Sequence, residues 1–357
     1  MQLMTVVGAR PQFIKAAVVS REMRRDWDEF LVHTGQHFDA GMSDIFFEQL
    51  QIPRPDLNLG ISGGSHGQMT ARMLAALEET MLRVKPRAVL VFGDTNSTLA
   101  AALAAVKLGI PVLHVESGNR FGVLSSPEEV NRVVTDHVSS LRFACTESAL
   151  ESLKKEDLGE NSVLSGDPML DAFLHFRELA AGQEIRLQDL NGKTVSLPDN
   201  YYYMTCHRQE NTDTPEKLAE ILQAANSLDA PAVYPVHPRC RAMLSELDAE
   251  HHFGNVLTVQ PVGYLESVRL TDGAKAVLTD SGGLQREAFF AGKACVTVLD
   301  FVAWPETMAG GRNRLARPDH KDILEKLSLG QTVDAAYQPF GNGQAAQVIR
   351  REAARYL

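Results

Sequence analysis

Leu3-Met-Thr-Val-Val-Gly-Ala-Arg-Pro-Gln-Phe-Ile-Lys15 opens the chain with a β-branched run that meets a glycine, then a proline, then apolar residues at helical spacing. Such a passage reads as a strand, a Gly-Ala-Arg-Pro turn that Gly8 makes tight, and a helix from about Gln12. Outward from it the same grammar recurs. Strands are expected over 30–33, 88–92 and 112–115, with helices over about 12–23, 70–85 and 98–108 and another opened by Pro127. Short apolar runs alternating with longer helical segments are the signature of βαβ units and a parallel sheet. Periodicity weakens over about 171–199, where LQDLNGKTVSLPDN reads as linker and turn, and a second series follows. Its strands are expected over 202–205, 232–235, 256–258, 276–279 and 295–299, and its helices over 215–227 and 284–291. The fold class is therefore α/β with two Rossmann-like domains, and the ligand is expected in the cleft between the halves.

The chain has 357 residues, 44% hydrophobic and 22% charged, the balance of two compact domains of ordinary size. A net charge of −10 argues against nucleic acid and anionic membranes as partners. An anionic ligand must therefore be held by a local patch of cations and helix N-termini. Cys145, Cys206, Cys240 and Cys295 are scattered with no C-x-x-C spacing, as in a reduced compartment, and offer neither a disulfide framework nor a zinc site. The first apolar run is too short for a signal peptide, and no stretch approaches the roughly 20 apolar residues that cross a bilayer. These features predict a cytoplasmic protein.

Four sets of turn residues carry the chemistry. At Gly8 the strand passes into a helix N-terminus flanked by Arg10 and Lys15, where dipole and cations together suit a phosphate; a plain turn with two solvated cations is the competing reading. Thr279-Asp-Ser-Gly-Gly-Leu-Gln-Arg-Glu287 repeats the strand-to-helix pattern. There Ser281, Gly282 and Gly283 would let a diphosphate approach backbone N–H groups, and Glu287 would accept from ribose hydroxyls. Asp94, Glu116 and Glu128 end strands or open a helix, and three carboxylates converging on one crevice suit proton removal and return. Against that, Asp94 would serve as a helix cap, and Glu128 would complement a helix dipole. His207 and His237 each follow a strand of the second half, His207 beside Arg208 as part of an anion site. No His or Cys partner at ligand spacing supports a metal.

Taken in order, GARPQFIKA, HTGQH, GDTNST, HVESG, PEEVNR, CHRQEN, PVHPR and TDSGGLQREA resemble the motifs of the non-hydrolysing UDP-N-acetylglucosamine 2-epimerase family, over residues 1 to about 310. The resemblance implies a glycosyltransferase-B-like pair of domains. The N-terminal one, 1–170, would carry the acid/base residues, the C-terminal one, 171–342, would bind UDP, and a helix within 343–357 would pack back on the first. It also implies a homodimer, no metal and no cofactor. A base removes the C2 proton while UDP leaves C1; UDP then re-adds to the 2-acetamidoglycal and the proton returns from the other face. Asp94, Glu116, Glu128 and His207 fall on catalytic positions. Arg10, Lys15, Gln36, His37, Arg132, Arg208, His237, Ser281, Gly282, Gly283 and Glu287 fall on substrate-binding positions.

GARPQFIKA, GGSHGQMT and QPVGYLE further resemble the branch acting on UDP-2,3-diacetamido-2,3-dideoxy-glucuronic acid, whose product serves surface polysaccharides. Departures fall at Ser117 and Asn119, at the loop 121–126, at 299–304 and at Arg286, where the family has an acid, which bears on sugar preference. Gly64 stands where some relatives use a glutamine for an activating second UDP-GlcNAc, implying no such activation. A hydrolysing epimerase, a glycosyltransferase of the same fold and a silent UDP-sugar sensor remain as alternatives.

Overall fold

The computed structural model describes residues 2–36, 51–122, 126–183, 185–332, 334 and 336–357. They fall into two compact units, Met1–Leu174 with Gln338–Leu357, and His175–Tyr337. The first unit is built on seven strands: β1 (Gln2–Val7), β2 (Asp28–His33), β3 (Leu57–Asn58), β4 (Ala88–Phe92), β5 (Val112–Ser117), β6 (Leu141–Ala144) and β7 (Ser162–Leu164). Their order is β3-β2-β1-β4-β5-β6-β7, and every neighbouring pair is parallel. All five residues of β4 and all six of β5 are buried, as expected for central strands covered on both faces. Helix His66–Val84 contributes Met73, Leu77 and Met81 to the core, where they meet Ala100, Ala101, Ala104 and Ala105 of helix Asn96–Lys107. Each fully buried Leu or Met side chain contributes about 1.5–3 kcal/mol relative to exposure.

The second unit carries a hairpin of β8 (Leu187–Gln188) and β9 (Thr194–Val195), then a parallel sheet. That sheet contains β10 (Tyr202–Thr205), β11 (Ala232–Pro235), β12 (Val256–Val259), β13 (Ala276–Thr279), β14 (Ala294–Val298) and β15 (Asn313–Ala316), in the order β12-β11-β10-β13-β14-β15. Tyr234, Val236, Leu218 and Leu222 anchor one apolar cluster of this unit, and Tyr203, Val277 and Leu284 another.

One expectation is corrected. Residues 171–180, where the periodicity reads as weakening, belong to helix Pro168–Ala180. Its buried residues Met169, Ala172, Phe173 and Phe176 stand at i, i+3, i+4 and i+7, and Asp167 Oδ1 accepts from Met169 N at 2.8 Å to hold its first turn. The last helix, Ala345–Tyr356, lies in the first unit: Arg350 reaches Glu22 and Asp26 at 3.6 Å, and Asp171 accepts from the amides of Ala345 and Ala346 at 3.1 and 2.8 Å. Among the described residues no helix is long and apolar enough to cross a membrane.

Each sheet has one place where neighbouring strands send their connections in opposite directions: between β1 and β4 in the first, and between β10 and β13 in the second. In doubly wound sheets the crevice at the carboxyl ends of such strands takes the ligand. The turns quoted from the sequence leave these strands or their neighbours β2, β5 and β11.

Candidate functional site

In the first unit the turn after β1 is pinned at Gly8, where a Cβ would lie 2.2 Å from both Ser97 Oγ and Thr34 Oγ1, so only glycine fits. Gln12 then ties this turn to the next. Its Oε1 accepts from the amides of Gly8 and Ala9 at 2.8 and 3.0 Å, and its Nε2 donates to Phe92 O at 2.7 Å and Thr98 Oγ1 at 2.9 Å. Amides offered to a phosphate by the sequence reading are thus already bonded to Gln12. Lys15 turns to a different partner. It is buried, and its ammonium sits 2.7 Å from Glu116 Oε2 at the end of β5.

Glu116 is 8% exposed and has φ of +70°, a left-handed conformation that costs a non-glycine residue about 1–2 kcal/mol. The pairing of β5 with β6 shifts register between Val115 and Ser117, so the strand bulges where Glu116 leaves it. A non-glycine residue keeps such a conformation only where the surrounding structure over-determines it. Glu116, Cys145 and Asp167 have ligand-type atoms within 4.8 Å of one another, the group of described residues most like a metal site. The Lys15 ammonium already supplies that cluster with a cation.

Asp94 follows β4 and Gly93. It is ion-paired to Arg132, whose other terminal nitrogen binds Glu129. Arg132 and Glu129 are both 2% exposed, and the guanidinium lies over the Phe121 ring at 4.3 Å from its centroid. Glu129 also accepts from the amides of Phe121 and Gly122 at 2.9 and 3.1 Å, so it holds the loop that begins at 121. Thr95, not Asp94, caps helix Asn96–Lys107, which removes the capping explanation for Asp94. Glu128 is exposed in the first turn of helix Pro127–Val138 and accepts from Ser126 Oγ at 2.8 Å. The structure therefore brings Asp94 together with Arg132, and Glu116 with Lys15. Glu128 stands at the surface, and its neighbour Glu129 is the buried acid, a partner the sequence reading missed. Arg10 is exposed at the start of helix Arg10–Met23, and Gln36 Oε1 accepts from Ser97 N and Oγ at 3.1 and 2.7 Å. His37 lies outside the described residues.

In the second unit the organising residue is Asp280, 1% exposed and also missed. Its carboxylate accepts from the amides of His207 and Arg208 at 2.9 and 2.8 Å, and its Oδ1 is 3.3 Å from His207 Nδ1. The His207 side chain is 44% exposed and its ring is stacked with that of His237, centroids 6.4 Å apart. Ser281 caps helix Gly282–Phe290, its Oγ accepting from Leu284 N at 3.4 Å. This leaves Gly282 and Gly283 in the first helical turn, where amides and dipole favour an anion. Glu287 is buried in the same helix, and the Arg208 guanidinium stands over the Phe301 ring at 5.4 Å. Two departures from the family pattern meet here: buried Arg286 lies over the Trp304 ring at 3.9 Å.

Comparison with known proteins adds the following. Residues 21–352 match the family model described as UDP-N-acetylglucosamine 2-epimerase. The UDP-2,3-diacetamido-2,3-dideoxy-D-glucuronate 2-epimerase of Pseudomonas aeruginosa is 45% identical over 98% of this chain and 98% of its own. A UDP-N-acetylglucosamine 2-epimerase homolog of Methanococcus maripaludis is 43% identical, again over 98% of each chain. Among solved structures, the Methanocaldococcus jannaschii UDP-GlcNAc 2-epimerase in complex with UDP-GlcNAc and UDP superimposes with a TM-score of 0.87 at 35% identity. That match covers 99% of this chain and 100% of the other.

Proposed function

The chain belongs to the UDP-N-acetylglucosamine 2-epimerase family, and from that premise we propose that it is an isomerase inverting C2 of a UDP-linked 2-acetamido sugar. UDP-2,3-diacetamido-2,3-dideoxy-glucuronate is its preferred substrate and UDP-GlcNAc its second, since the 45% identical relative is named for the former. The observation that carries this reading is Glu116: a buried carboxylate on a strained backbone, 2.7 Å from the Lys15 ammonium, at the end of the strand next to the one that delivers Asp94. A fixed carboxylate beside a fixed cation suits proton transfer at a poorly acidic carbon, because neither group has to reorganise when charge moves.

In this scheme one acid of the set Asp94, Glu116 and Glu128 accepts the C2 proton as the C1–oxygen bond to UDP breaks, leaving a 2-acetamidoglycal. Another returns a proton to the opposite face as UDP re-adds. Arg10, Lys15, Arg132, Arg208, Ser281, Gly282 and Gly283 hold the diphosphate, His207 assists the departing UDP, Glu287 takes the ribose, and Gln36, His37 and His237 contact substrate. The first unit supplies acid and base along with its cations, the second supplies the remaining UDP contacts, and a cytoplasmic homodimer making precursors for surface polysaccharide belongs to the same reading.

Proton NMR in D₂O with each sugar nucleotide tests it. The expected result is solvent deuterium at C2 and growth of the manno isomer with the UDP bond intact, faster with the diacetamido-glucuronate. Accumulation of free UDP and free sugar would replace the reading with a hydrolysing epimerase. Binding of both sugars with no exchange at C2 would overturn it.

A further inference from the structure

Behind Asp94 and Glu116 lies a buried set of charges that the scheme above does not use. His114 sits on β5 two residues before Glu116 and is 0% exposed. Its Nδ1 is 2.7 Å from Asp136 Oδ1 and its Nε2 is 2.7 Å from Gly93 O. A carbonyl oxygen and an ionised carboxylate only accept, so both ring nitrogens must donate. Asp136, on helix Pro127–Val138, spends its second oxygen on Gly118 N at 3.0 Å and Arg120 Nη1 at 2.7 Å. Arg120 in turn forms a two-point contact with Glu156, at 2.7 and 2.8 Å.

We propose that His114, Asp136 and Arg120 form one brace that positions both acids at once, His114 fixing the Gly93 carbonyl just before Asp94 and Asp136 fixing Gly118 just after Glu116. The inference rests on the epimerase reading for its catalytic consequence, not for its geometry. His114 and Asp136 are positioning residues: they touch the backbone that carries the acids rather than substrate. The brace explains how Glu116 keeps a left-handed φ. The chain is held on both sides of it, by His114 within the sheet and by Gly118 N on Asp136, and anchors of this kind let a strained conformation persist. It also accounts for an ion group that a plain βα unit does not need. Burial works against the Asp136 charge, yet His114 and then Arg120 outweigh it and hold the carboxyl at about 2, so it is ionised throughout the neutral range. Burial likewise opposes the Arg120 charge, and its bonds to Glu156 and Asp136 more than offset that.

Two measurements on the full-length protein test the brace. Ring-¹⁵N labelling of histidine is expected to show both His114 N–H protons, slow to exchange, in the wild type, and in Asp136→Asn the loss of the Nδ1 proton while the Nε2 proton on Gly93 O stays. A single His114 N–H in the wild type would overturn the brace whatever reaction the protein performs. Steady-state kinetics of Asp136→Asn and His114→Gln are expected to show kcat for C2 inversion down about 10–100-fold, since displacements of an ångström at a reacting group cost on that order. KM and the Kd for UDP should stay within about threefold. Arg120→Gln, which cuts the outer link at a partly exposed side chain, should lower kcat by about 3–10-fold and serves if an inner variant does not fold. A kcat per folded molecule within twofold of wild type, or a KM rising in step with the loss, would reduce these residues to structural ones and overturn the proposal. A wild type that leaves C2 untouched counts against the epimerase reading alone, and the imidazole signals then decide the brace.

Discussion

The two units solve the same topological problem with different materials. In the first, the strand ends carry side chains locked in buried ion pairs: Lys15 on Glu116, and Arg132 on Asp94 and Glu129. In the second, one buried carboxylate, Asp280, organises backbone amides and leaves the functional-looking groups open: the His207 side chain is 44% exposed and Ser281 caps a helix whose first turn is glycine. The difference follows from what each would do. Moving a proton at carbon requires groups that are already in place and already charged, because reorganisation adds to the barrier. Holding a diphosphate requires donors that reach solvent until the ligand arrives, and a helix N-terminus supplies them without a buried charge.

The comparison can be broken most easily at Arg132. Its side chain is 3% exposed and it is the shared partner of Asp94 and Glu129. Removing one member of a buried ion group leaves a carboxylate stranded, so Arg132→Ala is expected to lose about 3–5 kcal/mol in denaturant unfolding, along with the C2 reaction. A loss below about 1 kcal/mol would mean that the first unit is not held by its ions. At Ser281 the expected effect is smaller. Ser281→Ala removes a helix cap worth about 1 kcal/mol and a donor to phosphate, so UDP should bind up to about tenfold more weakly by titration calorimetry. If the same variant slows C2 exchange at saturating substrate, the division of labour between the units is blurred.

Much of this was legible in the chain, for reasons that can be stated residue by residue. The strands 88–92, 202–205, 232–235 and 276–279 have the bounds the sequence predicts, since short runs of β-branched and aromatic residues, most of them bounded by glycine, proline or aspartate, leave little choice. Helix Pro168–Ala180 keeps helical spacing at its buried positions, but the weakened pattern that follows it, through the short hairpin of β8 and β9, hides its extent in the sequence. In the site, Glu116 stood out because a glycine turn follows it, and its pairing with Lys15 joins residues 101 apart, which no local pattern carries. Gln12, Glu129 and Asp280 were present in the quoted motifs but had no assigned role. Each works by accepting from backbone amides, a task that many residue types perform and that sequence therefore does not mark.

The account rests on Glu116 as a group that handles the C2 proton, and the rate of solvent deuterium entry at C2 in Glu116→Gln against wild type tests that most directly. The variant keeps the shape and a hydrogen-bonding oxygen toward Lys15 while losing the titratable group. Exchange is predicted to fall by about 10²–10⁴-fold with UDP binding within about twofold of wild type. Exchange at the wild-type rate in a folded variant would contradict the account, and would leave Glu116 as the ion partner of Lys15 and no more.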